Sequence, residues 1–245
     1  MLDSRNPAFN RDINGNTTAA VGVPMTVQGT LTKTIILSLI MCISGAATWY
    51  QFALGYMDKV NMFMFGGLII GLIVAFVIMF KQHLAPVLAP VYAFAEGALL
   101  GGLSAIFEAQ FPGIVVQAVS LTMLAVFSMA VLYKIGLIRA TERFRSTILI
   151  ATSAVAIFYL IDLVGRFFHF NLSIIYSSSP LGIAFSLFVV GLAALNLIID
   201  FDFIEKGQAN FLPQYYEWYG AFGLLITIVW LYLEILRLLS KLKER

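Results

Sequence analysis

Long apolar runs free of charge govern what this chain can become. Lys33 and Asp58 bracket one such run, and Lys59 and Lys81 bracket the next. Crossing the hydrocarbon of a bilayer as a helix takes about 20 mostly apolar residues. Five further runs reach that length with few charges. They extend from near Pro86 or Pro90 to about Gln110, from Pro112–Gly113 to Lys134, from Ser146 to about Phe168, from Pro180 to Phe203, and between Trp218 and Ser240. Backbone in lipid must satisfy its own hydrogen bonds, so runs this long are helices; barrel strands would alternate in polarity over about ten residues. The predicted fold is therefore an all-α membrane protein with seven transmembrane helices over residues 31–245. Residues 1–30, rich in Asn, Gly and Thr, lack the apolar core of a secretory signal and are expected to form a flexible polar tail.

Composition narrows the function classes. The chain is 60% hydrophobic and only 11% charged, whereas soluble domains average about 25% charged residues. A formal net charge of +2 is too small to suggest a nucleic-acid partner. Cys42 is the single cysteine, which excludes an intrachain disulfide and a thiolate metal cage and leaves a small packing residue in the first span. Gly97, Gly101, Gly102 and Ser104 in the third span predict close helix contacts. Trp49, Tyr50, Tyr215, Tyr216, Trp218 and Tyr219 fall near span ends, where interfacial aromatics belong. With the N-terminus in the cytoplasm, nine Lys and Arg lie inside and six outside, four of the six in the C-terminal tail. That bias favours an inside N-terminus, with either seven full crossings and a basic tail outside, or a re-entrant last segment. Seven crossings are preferred because the last run is long enough.

Six acids sit in or at the ends of these runs: Glu96, Glu108, Asp162, Asp200, Asp202 and Glu234. Even lenient insertion scales charge roughly 2.5–3.5 kcal/mol for such a group at the centre of a membrane helix. With no lysine or arginine deep inside the runs, protons or cations from solution are the expected counter-charges. Asp200 ends a charge-free run from Phe167 to Ile199 and should lie deep, while Asp202 and Glu205 resemble a solvated helix end. Glu234 sits well inside the last run, in LYLEILRLL, although Arg237 one turn on offers a local partner. Two adjoining buried carboxylates disfavour each other's charge and titrate as a unit. A close Asp200–Glu234 pair would therefore be a pH-sensing latch and a candidate cation site, with Glu96, Asp162, Asp202 and Glu108 secondary to it. Glu96 and Glu108 lie about 18 Å apart along one helix axis. Glu96 is expected to be buried or cavity-lining, Glu108 to be a surface residue beside the Phe111–Pro112–Gly113 turn, and Asp162 to pair with Arg166.

Other chemistry is not visible. His83 and His169 stand alone at span ends, and no H-E-x-x-H zinc motif, nucleophile elbow, P-loop or dinucleotide fingerprint occurs, so no enzyme and no cofactor is expected. No span carries a lysine for a retinal Schiff base.

The chain resembles the Bax inhibitor family of transmembrane proteins, specifically a bacterial YccA-like branch. The likeness covers nearly the whole chain. It rests on the Ser4–Phe9 start, on VYAFAEGALLGGLSAIFEAQFPGIV, on NLIIDFDFIEKG, and on EWYGAFGLLITIVWLYLEILRLL. The resemblance implies seven helices with the last one central and surrounded by the other six. It also implies an acidic pair in spans six and seven that responds to pH and gates a calcium leak. By position the pair is Asp200, which stands in an apolar run just before Glu205–Lys206, and Glu234 in Leu231–Tyr232–Leu233–Glu234. The expected function is thus a pH-sensitive calcium or cation leak channel of the bacterial cytoplasmic membrane, with calcium as transported ion. The alternative is an interaction protein that modulates a membrane-bound protease or stress response, with residues 1–28 as its working part. Lipid is the expected surrounding partner, and a monomer is plausible.

Overall fold

The computed structural model describes residues 23–168 and 177–244, without the side chains of residues 166 and 167. Among the described residues, seven helices are long and apolar enough to cross a membrane: α1 (Val27–Ala53), α2 (Met57–Phe80), α3 (Ala85–Gln110), α4 (Ile114–Lys134), α5 (Glu142–Phe167), α6 (Pro180–Ala209) and α7 (Tyr215–Lys243). No strand occurs among the described residues; a single bridge joins Pro24 to Pro213. Large apolar side chains such as Ile43, Phe65, Ile69, Phe94, Leu124, Ile150 and Phe188 point outward, as a lipid-facing surface requires. Cys42 is exposed as well, so it faces outward instead of packing in the core.

Local chemistry sets the helix boundaries. Ser179 caps α6, accepting from the Gly182 N–H at 3.2 Å, and Pro180 opens the helix where a missing N–H costs nothing. Gly113 adopts φ +80°, a conformation only glycine takes freely, and turns α3 into α4. Pro90 lies inside α3 and does not end it, so that helix begins at Ala85. The flexible tail was expected to reach residue 30, but its last residues are tied down. The Met25 N–H donates to Leu212 at 2.7 Å, Met25 is 1% exposed, and Thr26 caps α1. An apolar Met beside Gly207 gains more from burial under the α6–α7 turn than it loses in chain freedom. Residues 1–22, most of the 1–28 segment on which the protease-modulating reading depends, lie outside the described residues, as does His169.

Helix α7 buries a larger share of its length than any other span. It packs against α1, α3, α4 and α6 and meets α5 through Tyr159, whose hydroxyl donates to Glu234 at 3.0 Å. Helix α2 packs on α3 and α1. The α1–α3 contact is the tightest, because Gly45, Gly97 and Gly101 let the two backbones touch; a Cβ at Gly101 would collide with the Gly45 backbone. The last segment is not re-entrant. Lys243 at its end donates to the Pro112 carbonyl at 3.1 Å, on the α3–α4 turn, while Thr26 contacts the beginning of α7. The start of α1 and the end of α7 therefore occupy opposite ends of the bundle.

Candidate functional site

Thr227, Trp230, Glu234, Arg237 and Lys241 recur along α7 at intervals of three and four residues, which places them on one helix face. Helices α5 and α6 supply the facing groups, and together they form a polar seam through an otherwise apolar bundle. Asp200 of α6 opens the seam beside the Thr227 side chain. Its Oδ2 is sealed from solvent and has no hydrogen-bond partner. Such an orphan acceptor in an interior is uncommon and points to a use beyond packing. One turn along α6, the Asn196 amide donates to Thr152 Oγ1 of α5 at 2.9 Å.

Further down the seam, Glu234 is 1% exposed and held by three donors. Arg237 Nη1 lies 2.9 and 3.0 Å from its two oxygens, the Tyr159 hydroxyl 3.0 and 3.1 Å, and Trp230 Nε1 3.3 Å from Oε1. Arg237 Nη1 also donates to Tyr159 at 2.8 Å. Asp162 is buried on α5, one turn beyond Tyr159; its expected partner Arg166 lies outside the described side chains. The seam ends at Lys241, 2% exposed, whose ammonium donates to the Gly182 carbonyl at 3.0 Å and to Ser186 Oγ at 2.7 Å.

This arrangement changes several expectations. The direct Asp200–Glu234 latch is not formed: Asp200 Oδ2 has no partner, and Glu234 is already neutralised by Arg237. Asp200 faces α7 at Thr227, seven residues before Glu234, so about 10 Å separates the two levels along the axis. The physical reason is the antiparallel α6–α7 hairpin, which pairs late residues of α6 with early residues of α7. Neither are the acids short of internal cations. Arg237 serves Glu234, and Lys33 bonds Glu217, a 3%-exposed acid at the start of α7 that also accepts from the Thr26 N–H and hydroxyl at 2.8 and 2.9 Å. Asp202 is not solvated but 8% exposed, bridged to Arg145 of α5 at 2.5 Å and to Lys206 at 2.9 Å.

The remaining acids lie off the seam. Glu96 is half-buried on α3, where Tyr92 is its hydrogen-bonding neighbour and a Cβ on Gly71 of α2 would come within 3.4 Å of Oε2. Glu108 accepts from the Gly113 and Val115 N–H groups at 2.5 and 3.0 Å, satisfying orphan donors at the start of α4. That fixes the turn, whereas the sequence suggested only a surface residue beside it. Among the described residues no three His, Cys, Asp or Glu side chains converge as a metal-binding group, so the candidate cation site is not assembled as a cage. A separate cavity of about 570 Å³ between α1, α3, α4 and α7 is almost wholly apolar, and the 2.6 Å Ser104–Tyr232 hydroxyl contact lies at its wall.

Sequence reasoning missed Thr227, Tyr159, Lys241 and Ser186. The three-and-four spacing along the last span could have found the α7 members. Nothing in the sequence shows which residues of α5 and α6 face them.

Residues 6–244 match the family model described as Bax inhibitor 1 like. No curated protein and no solved structure matches the chain.

Proposed function

Since the chain belongs to the Bax inhibitor 1 like family, a multi-pass membrane family consistent with a channel-like role, we propose that it is a pH-sensitive cation leak channel with calcium as its cargo. We place it in a bacterial cytoplasmic membrane with the N-terminus inside. The observation that carries this reading is Asp200 Oδ2, a buried acceptor without a partner at the head of the α5–α6–α7 seam. A carboxylate there attracts a partly dehydrated cation, for which oxygen ligands are the natural coordination. Protonation removes that attraction. Glu234 and Arg237 form the next station: opening the seam requires the carboxylate to exchange Arg237 and Tyr159 for the passing ion. The gate is thus two acids acting in series along one path, not a pair sharing one proton.

The test is calcium flux into vesicles reconstituted with the full chain. Wild-type flux should fall as the pH is lowered. Asp200→Asn mimics the protonated acid and should hold flux near the acidic floor at every pH. Glu234→Gln should change the flux while retaining the pH response, because Asp200 remains. Wild-type flux and wild-type pH dependence in Asp200→Asn would refute the proposal.

A further inference from the structure

At the end of the bundle where α1 begins, a cleft of about 660 Å³ opens between α1, α4 and α6. Its inner surface divides by chemistry. Val27 and Leu31 of α1, Ala130 of α4, and Phe201 and Ile204 of α6 make its apolar lining, and Lys134 and Arg139, both solvent-exposed, line its open side. The two acids that also line it are already engaged. Asp202 is bridged by Arg145 and Lys206, and Glu205 accepts a hydrogen bond from the Tyr133 hydroxyl. Lys134 and Arg139 make no side-chain hydrogen bond or ion pair to another described residue; Arg139 only lies over Gly136, which turns the chain after α4 at φ +74°. Counting Arg145 and Lys206 with the lining residues gives four cations against two carboxylates, an excess of two positive charges.

Its position selects the ligand. Ile135 and Leu137, between the two cations in sequence, are 67% and 72% exposed, and Leu31 is 40% exposed. Apolar groups so exposed beside cations mark the boundary between hydrocarbon and headgroups. A slot between transmembrane helices with an apolar interior and a basic mouth at that boundary complements one chain and the phosphate of a lipid. We propose that this cleft binds an anionic phospholipid, with its phosphate on Lys134 and Arg139 and an acyl chain between α1 and α4. The cleft adjoins Asp202 but not the seam, so the site stands or falls independently of cation flux.

The experiment is native mass spectrometry of the full chain released from nanodiscs of mixed phosphatidylglycerol and phosphatidylcholine. The wild type should retain phosphatidylglycerol preferentially. Lys134→Gln/Arg139→Gln should weaken that retention by on the order of tenfold or more, given the usual strength of basic residues at anionic surfaces. The swap Lys134→Arg/Arg139→Lys should preserve it and shows that the fold tolerates change there. Lys59→Gln, at the opposite end, should leave it intact. Equal retention of both lipids by the wild type, or an unchanged preference in the double Gln variant, would overturn the proposal. Displacement of bound lipid by inorganic phosphate alone would also overturn it, because the site would then recognise a free anion and not a lipid.

Discussion

Glu234 tolerates the membrane interior because three donors, one of them a guanidinium, converge on two oxygens. Removing one member should reveal which contacts matter. Arg237→Gln strips the charge from the pair and leaves a 1%-exposed carboxylate facing only neutral donors. Breaking a fully buried pair this way costs about 3–5 kcal/mol, but the Arg237 side chain is 30% exposed. Solvent screening lowers the expected cost to about 2 kcal/mol. Tyr159→Phe loses hydrogen bonds but no charge and should cost about 1 kcal/mol. Glu234→Gln/Arg237→Gln should recover part of the loss, since neither variant side chain leaves a lone charge. Thermal unfolding in detergent measures all three. A larger effect for Tyr159→Phe than for Arg237→Gln, or strict additivity in the double variant, would show that the ion pair does not organise this region. At this scale the sequence was informative where partners are local. Arg237 three residues after Glu234 and the Glu108 turn were both visible. The place of Asp200 opposite Thr227 was not, because it depends on how far one helix slides along another.

Between elements, α1 and α3 come closest backbone to backbone, Gly101 against Gly45 and Gly97 against Met41. Without a hydrophobic driving force between helices in lipid, close backbone packing supplies the attraction. Gly101→Val puts a branched Cβ into the Gly45 backbone and should separate the helices. It should lower the yield of folded protein and its midpoint by several degrees, consistent with the roughly 1–3 kcal/mol of an overpacked core. Gly191 in α6 provides the comparison, because nothing lies within 4 Å of its hypothetical Cβ. Gly191→Ala should be neutral or stabilising by about 0.5–1 kcal/mol through reduced chain entropy. The pair is read by detergent melts of equal protein. Equal melting of Gly101→Val and wild type would mean that α1 and α3 are held by something else. The glycine cluster of the third span was legible as a contact surface in the sequence. Its partner was not, because Gly45 and Gly29 lie far apart in α1 and mark no comparable glycine cluster.

Across the whole molecule, hydropathy carried the helix count and approximate span ends, since each apolar run can satisfy its backbone in lipid in only one way. It carried the ends of the last helix less well, because Lys241 and Lys243 look like a solvated tail, whereas Lys241 is buried against Gly182 and Ser186. That burial bears on topology. A basic tail that prefers the cytoplasm could have folded back, but Lys241 and Lys243 are spent on α6 and on the α3–α4 turn. The positive charges that orient the chain are then those at the other end: Lys81, Lys134, Arg139, Arg143, Arg145 and Lys206. Bias of this kind sets orientation through residues near the span ends. In a Cys42→Ser background, cysteines introduced as Ser4→Cys and Arg245→Cys should react oppositely with a membrane-impermeant maleimide on intact cells. Arg245→Cys should label without lysis, and Ser4→Cys only after it. Labelling of both from one side would contradict an odd number of crossings, and the reverse pattern would invert the orientation proposed above. Either result would also relocate the lipid cleft and the mouth of the seam relative to the cell, since both are fixed to the bundle and turn with it.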